Sequence, residues 1–136
     1  MTLDAVVVDT DVVSFEFKGD SRAREFRPHL IGRIQVISFM TLAELELWSL
    51  ERDWGHSRRE KLERHVRRFL LHPFDRLLCQ LWAQARDTAR RNGRPLGVGD
   101  AWVAATALAL GIPLVTNNPG DYAGVPNLTI RSQPIS

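Results

Sequence analysis

One cysteine, one tyrosine and two lysines stand among 136 residues, and each scarcity excludes something. With Cys79 alone, neither an internal disulfide nor a thiolate zinc cluster forms, so the chain is expected in a reducing, cytoplasmic compartment. Cys79 itself is expected to be a small buried apolar residue. His29, His56, His65 and His72 lack the spacing of a zinc-protease helix and are expected on the solvated surface. No stretch approaches the ~18 apolar residues of a membrane span, and an acid interrupts the start, MTLDAVVVDTD, before a signal-peptide core forms. The chain is thus expected to be soluble and unprocessed, with secretion left open. There is no phosphate-binding G-x-x-x-x-G-K-[ST] loop and no G-x-S-x-G elbow. Gly97-Val98-Gly99 is too short for a dinucleotide loop and is assigned to the approach to Asp100.

The length and the 44% hydrophobic content suit one domain, residues 1–136, that buries a core without staples. Net charge is only +2, yet of the 18 basic residues all but Lys18 and Lys61 are arginine. Arginine forks suit phosphates and stack on bases, which hints at an anionic partner.

Ala5 to Val8 is apolar and β-branched, the mark of a strand buried on both faces. Residues 21 to 31 suggest a short helix, and Gln35 to Ser38 a second strand. Thr41 and Glu44 fit a capping box for a helix to about Asp53, closed by Gly55. Ser57 to Leu71 carries apolar residues at helical spacing with a basic face between them, and His72 to Phe74 is too short to assign. Asp75 is the expected N-cap of a long helix stopped by Asn92 and Gly93. Ala101 to Leu110 is almost wholly apolar, so this helix should be buried on most sides. Strands are expected at Pro113 to Thr116 and Leu128 to Arg131, with turns between. Strands and helices in this order predict an α/β protein, a three-layer α/β/α sandwich around a short parallel sheet. Trp48, Trp54, Trp82 and Trp102 are assigned to core or subunit contacts.

Four acids, Asp9, Glu44, Asp100 and Asp121, fall where strands end or helices begin. In a parallel sheet the carboxyl ends converge on one edge, so scattered acids can meet in a single crevice. Hard divalent cations favour oxygen ligands of this kind. Asp100 is the sharpest case, because a charge at the start of so apolar a helix needs compensation. Asp11, Ser38, Thr116, Asn117 and Asn118 are candidate donors that orient these acids. Each also has an ordinary explanation as a turn or cap residue.

The segments VVVDTDVVS, TLAELEL, PLGVGDAWVAATAL and LVTNNPGDY…VPNLTI, in that order, resemble the PIN-domain ribonucleases, and most of all the VapC-type toxins of toxin–antitoxin pairs. The resemblance implies a Mg²⁺- or Mn²⁺-dependent endoribonuclease with Asp9, Glu44, Asp100 and Asp121 as catalytic, metal-holding acids. It also implies a homodimer and a cognate antitoxin covering the groove, for which the Thr41 to Trp54 helix is a candidate surface. Two departures stand out: Asp11 replaces the family's usual asparagine, and Asn118 stands where many relatives carry an acid, which makes Asp121 the fourth acid.

Two alternatives compete. VVVDTDVV satisfies the first motif of haloacid-dehalogenase-like phosphatases, but both lysines precede LVTN and only Asp121 follows it, where that family needs a lysine and an acid pair. The departure at Asn118 motivates the other, a PIN-like module that binds RNA or a partner without cutting.

Overall fold

A computed structural model describes residues 4–133; the ends of the expected 1–136 domain lie outside the described residues. Ala5–Val8 (β1) carries no polar side chain and is buried throughout, which places it at the centre of a five-stranded parallel sheet. The order is β3-β2-β1-β4-β5, where β2 is Ile34–Ser38, β3 Leu70–His72, β4 Leu114–Val115 and β5 Ile130–Arg131. β1 pairs with β2 through Val7 and Val36, and with β4 through Val8 and Val115.

Alternation along β1 divides the core. Val6 and Val8 pack with Val12, Val13, Phe26, Ile37 and Leu45, beneath α1 (Thr10–Lys18), α2 (Ala23–Leu30), α3 (Phe39–Glu51) and α4 (His56–Val66). Val7 packs with Val36, Ala104 and Leu114 on the other face, under α5 (Arg76–Arg91) and α6 (Val98–Leu110). Burying each valine fully contributes ~1.5–3 kcal/mol. This is the expected three-layer α/β/α sandwich. The small residues of α6, with Ala101, Ala104 and Ala105 wholly buried, let it lie close to the sheet, and Gly111 caps it at φ 65°, a conformation that suits glycine.

Several local expectations are corrected. The expected helix over residues 57–71 stops at Val66, and Leu70 and Leu71 extend into β3 because β2 offers a free edge. Helix α1 follows β1 at once, a helix that the short apolar run did not reveal. Thr41 and Glu44 form no capping box: Ser38 caps α3 by accepting a hydrogen bond from Met40 N at 3.0 Å, and Thr41 is buried inside the helix. Gly55 precedes α4 rather than closing α3. Helix α6 starts at Val98, which places Asp100 in its first turn. Cys79 is exposed, not buried. His65 is buried instead of solvated, its Nε2 3.1 Å from the Val13 carbonyl oxygen, and burial pushes its pKa below the usual histidine range. The cap at Asp75 holds, accepting from Leu78 N at 2.8 Å.

Candidate active site at the carboxyl edge of the sheet

Chain order places the first candidate acid. β1 is followed in the chain by α1 and then β2 on one side, while β4 lies on the other, so the crevice beyond β1 is a point where strand order reverses, the usual ligand position in such sheets. Asp9 stands there, 7% exposed, as the N-cap of α1. Its Oδ1 accepts from Thr10 N at 2.8 Å; its Oδ2 accepts from the Thr116 hydroxyl at 2.9 Å and the Tyr122 hydroxyl at 2.8 Å. All three donors are neutral. Burial raises the Asp9 pKa, against the pull of those hydrogen bonds.

The Tyr122 hydroxyl also lies 3.4 Å from Asp100 Oδ1, so one phenol bridges two acids. Asp100 is half-buried and pushed up to about 6, first by burial and then by the charges of Asp9 and Asp121. Tyr122, almost wholly buried, has its own pKa raised far above the ordinary phenol value by burial and by the same carboxylates, so it remains a donor. Glu44, on the second turn of α3, accepts from Thr10 Oγ1 at 3.0 Å. Thr41 Oγ1 lies 2.9 Å from Thr10 Oγ1. A carboxylate only accepts, so the hydrogens run from Thr41 to Thr10 to Glu44. Burial raises the Glu44 pKa.

Asp121 sits exposed in a 3₁₀ turn, Pro119–Tyr122. That turn is held against the loop before α6 by Gly124, where an added Cβ would lie 2.7 Å from the Arg94 carbonyl oxygen. Only glycine permits so close an approach. Between the two loops lies an open cleft of about 370 Å³, lined by Arg94, Gly97, Asp100 and Asp121 among others.

The remaining candidates divide. Thr116 touches Asp9 directly. Asn118 Nδ2 and Asn117 N donate to Asp11 Oδ2 at 2.9 and 3.2 Å, while the Asn117 side chain turns away to Gln133. Asp11, half-buried, is pushed up to about 7 by burial and by Asp9. Ser38 serves α3 as its cap and makes no described bond to the acids. Tyr122, Thr10 and Arg94 are additions that the sequence did not single out; Tyr122 was open to notice as the only tyrosine, adjacent to Asp121.

Among the described residues none of these five carboxylates takes part in an ion pair. An oxygen-only donor set that carries uncompensated charge fits a hard divalent cation. Among the described residues, though, no three such side chains stand close enough to enclose an ion, so the acids share one region without closing on a point.

Sequence and fold both have known relatives. The chain is 29% identical over 132 residues to Ribonuclease VapC4 of Mycobacterium tuberculosis, covering 96% of this chain and 98% of that protein. Its fold matches VapBC2 from Rickettsia felis, solved bound to a DNA fragment from their promoter, with a TM-score of 0.83 at 21% identity over 96% of this chain and 99% of that one. It also matches VapBC-5 of Mycobacterium tuberculosis, a member of the VapBC family of toxin–antitoxin systems, with a TM-score of 0.70 at 22% identity over 95% and 97%. Residues 6–124 match the PIN domain, and the chain belongs to the PIN-domain family.

Proposed function

We propose that this chain is a metal-dependent endoribonuclease that hydrolyses RNA phosphodiester bonds as the toxin of a toxin–antitoxin pair. The observation that carries the reading is Asp9: a carboxylate 7% exposed, held by three neutral donors, beside other acids and in no ion pair among the described residues. Asp9, Glu44, Asp100 and Asp121 would hold Mg²⁺ or Mn²⁺. Such an ion supplies Lewis-acid polarisation of a phosphodiester and lowers the pKa of water.

The chain's own residues contribute orientation and charge. Thr116 and Tyr122 occupy Asp9 Oδ2 twice over, which leaves Oδ1, bonded once, as the oxygen with acceptor capacity to spare. Tyr122 fixes Asp100 relative to Asp9, and the Thr41–Thr10 relay fixes Glu44. Arg94 lines the cleft beside Asp100 and Asp121 and has no ion pair among the described residues, so its fork is free to hold a phosphate oxygen of the substrate.

A phosphatase acting through an aspartyl phosphate fits poorly. Asp9 is too enclosed for a nucleophile, and Lys18 and Lys61 line a different cleft. The second reading, an RNA- or partner-binding module that does not cut, is favoured by one observation: among the described residues no three acids stand close enough to enclose an ion.

By the same reading a cognate antitoxin covers the protein in the cell. On α3, Leu47 and Leu50 are 52% and 63% exposed, apolar surface that a protein partner would bury. A homodimer would likewise bury Leu70, Leu71, Phe74 and Leu77, exposed on β3 and at the start of α5; sedimentation of the purified chain tests this. No helix among the described residues is long and apolar enough to cross a membrane.

The deciding experiment is incubation of total cellular RNA and purified tRNA with the wild-type chain in Mg²⁺, Mn²⁺ or EDTA, beside Asp100→Asn purified identically. Discrete fragments that need metal and vanish in the variant are expected. A folded wild-type chain that binds RNA without cutting it would favour the second reading, and equal cleavage by the variant would place the active site elsewhere.

A further inference from the structure

A second cleft of the described surface is larger than the acidic one. It encloses about 680 Å³ between the end of α1 and the exposed face of α4, and Lys18, Arg58, Lys61, Arg64 and Arg68 line it. The one acid in its wall, Glu16, faces Arg27 at 3.7 Å. Among the described residues none of the five cations is in an ion pair, although α4 and its neighbours offer acids that pair with others: Glu60 with His56, and Glu63 with Arg67. Five uncompensated like charges around one concavity repel one another until an anionic ligand enters.

Two of the five are held in place. The Arg58 guanidinium stacks 4.5 Å from the Trp54 ring centre and 5.5 Å from that of Phe17, and Lys18 Nζ lies 4.9 Å over Trp48. A guanidinium stacked on an aromatic face keeps its N–H edge free for phosphate oxygens. Phe17 and the buried His65 also line its wall.

Helix α1 links this cleft to the acids. Asp9 caps its beginning and Lys18 ends it. Nine residues at ~1.5 Å each separate them by about 13 Å. A single strand, whose phosphates lie farther apart than the ~3.4 Å rise per strand of a duplex, covers that distance in at most about four nucleotides.

We infer that the cleft between α1 and α4 is a phosphate-backbone binding site for single-stranded RNA, an exosite that anchors the strand within about four nucleotides of the bond held at the acidic edge. The inference rests on the RNA reading given above, and it names where the rest of the substrate lies. The site is assigned to phosphate because its cations stand around an open cleft, and contacts to the backbone carry no sequence information. An acidic protein segment is the competing occupant. RNA is favoured because the same short helix carries both the cleft and the acid proposed to act on phosphodiesters.

The test uses the full chain in EDTA, with binding read by fluorescence anisotropy of a labelled single-stranded RNA of about twelve nucleotides, roughly three times the span above. Lys61→Ala combined with Arg64→Ala removes two exposed cations that make no described contact in the core. Affinity is expected to fall about tenfold, and the slope of log K against log salt to become shallower by about 1.4, at ~0.7 for each phosphate no longer neutralised. With metal present, KM for the long RNA should rise by a similar factor, while a dinucleotide, whose one phosphodiester lies at the acidic edge and leaves no further phosphate for the cleft, is cut equally by both proteins. Arg68→Glu, a separate exposed site, should weaken long-RNA binding in the same way, and melting curves verify that each variant is folded. Unchanged affinity and salt slope for the long RNA in folded variants would overturn the inference. So would RNA binding that persists while binding of poly-glutamate is abolished, which would give the cleft to an acidic protein segment. Because binding is read without metal, a chain that binds long RNA through this cleft but never cuts it leaves this inference standing while the nuclease reading falls.

Discussion

The two ends of helix α1 carry opposite charge under opposite conditions. At its start, Asp9 and Asp11 are built into the sheet edge with Glu44, Asp100 and Asp121 nearby, and burial pushes Asp100 to about 6 and Asp11 to about 7. At its end, the cations of α1 and α4 stand in solvent around an open cleft. A net charge of +2 conceals this separation. The difference teaches which pole costs stability: like charges that are half-buried oppose folding, whereas solvated ones are screened. Function and stability should therefore trade against each other at the acidic pole and be nearly independent at the basic one.

Substitution at each pole can break that contrast. The largest expected effect is Asp100→Asn, which should lower RNA cleavage by ~10³-fold or more, the several kcal/mol that charge stabilisation contributes. In EDTA at neutral pH the same variant should melt higher than wild type; a lower melting temperature would contradict the account. Next is Tyr122→Phe. It removes the one phenol hydrogen, which points to Asp9 at 2.8 Å with Asp100 farther off at 3.4 Å, and should cost ~1.5–3 kcal/mol in urea unfolding.

The pH dependence follows in size. Between the ordinary carboxylate pKa of ~4 and the folded values of about 6 at Asp100 and about 7 at Asp11, the folded chain binds more protons than the unfolded one. Stability of the metal-free protein should thus fall as pH rises through that window, by on the order of 1–2 kcal/mol once solvent screening is allowed for. Urea midpoints at pH 5 and pH 8 in EDTA measure this, and a flat or rising profile would deny that burial and neighbouring charge raise the acids. The smallest effect is at the other pole, where Lys61→Ala with Arg64→Ala should change folding stability by no more than ~0.5 kcal/mol.

Much of the architecture was written in local chemistry. The apolar run of β1, the cap at Asp75 and the unbroken apolar character of α6 each specify one structure, and those elements lie where patterning placed them, save that α6 begins earlier, at Val98. What escaped depended on partners distant in sequence. Leu70 and Leu71 continue a helical pattern, and only the open edge of β2 turns them into a strand. Thr41 and Glu44 satisfy a capping motif at helical spacing, yet their oxygens are used by Thr10, more than thirty residues earlier. The acids could be picked out from their positions at strand and helix ends. The bridging role of Tyr122 could not, because it exists only once the 3₁₀ turn folds over Asp9 and Asp100. Arg94 is one arginine among many until Gly124 lets its loop meet the turn that carries Asp121.

Everything proposed for the acidic pole requires that it accept a divalent cation, so the most direct measurement is a calorimetric titration of Mn²⁺ into the metal-free wild-type chain, beside Asp100→Asn and the basic-pole double variant. The account predicts saturable binding by the wild type and the basic-pole variant, weakened at least ~10-fold by Asp100→Asn, a loss of about 1.4 kcal/mol or more. No binding by the folded wild type, or equal binding by Asp100→Asn, would contradict it.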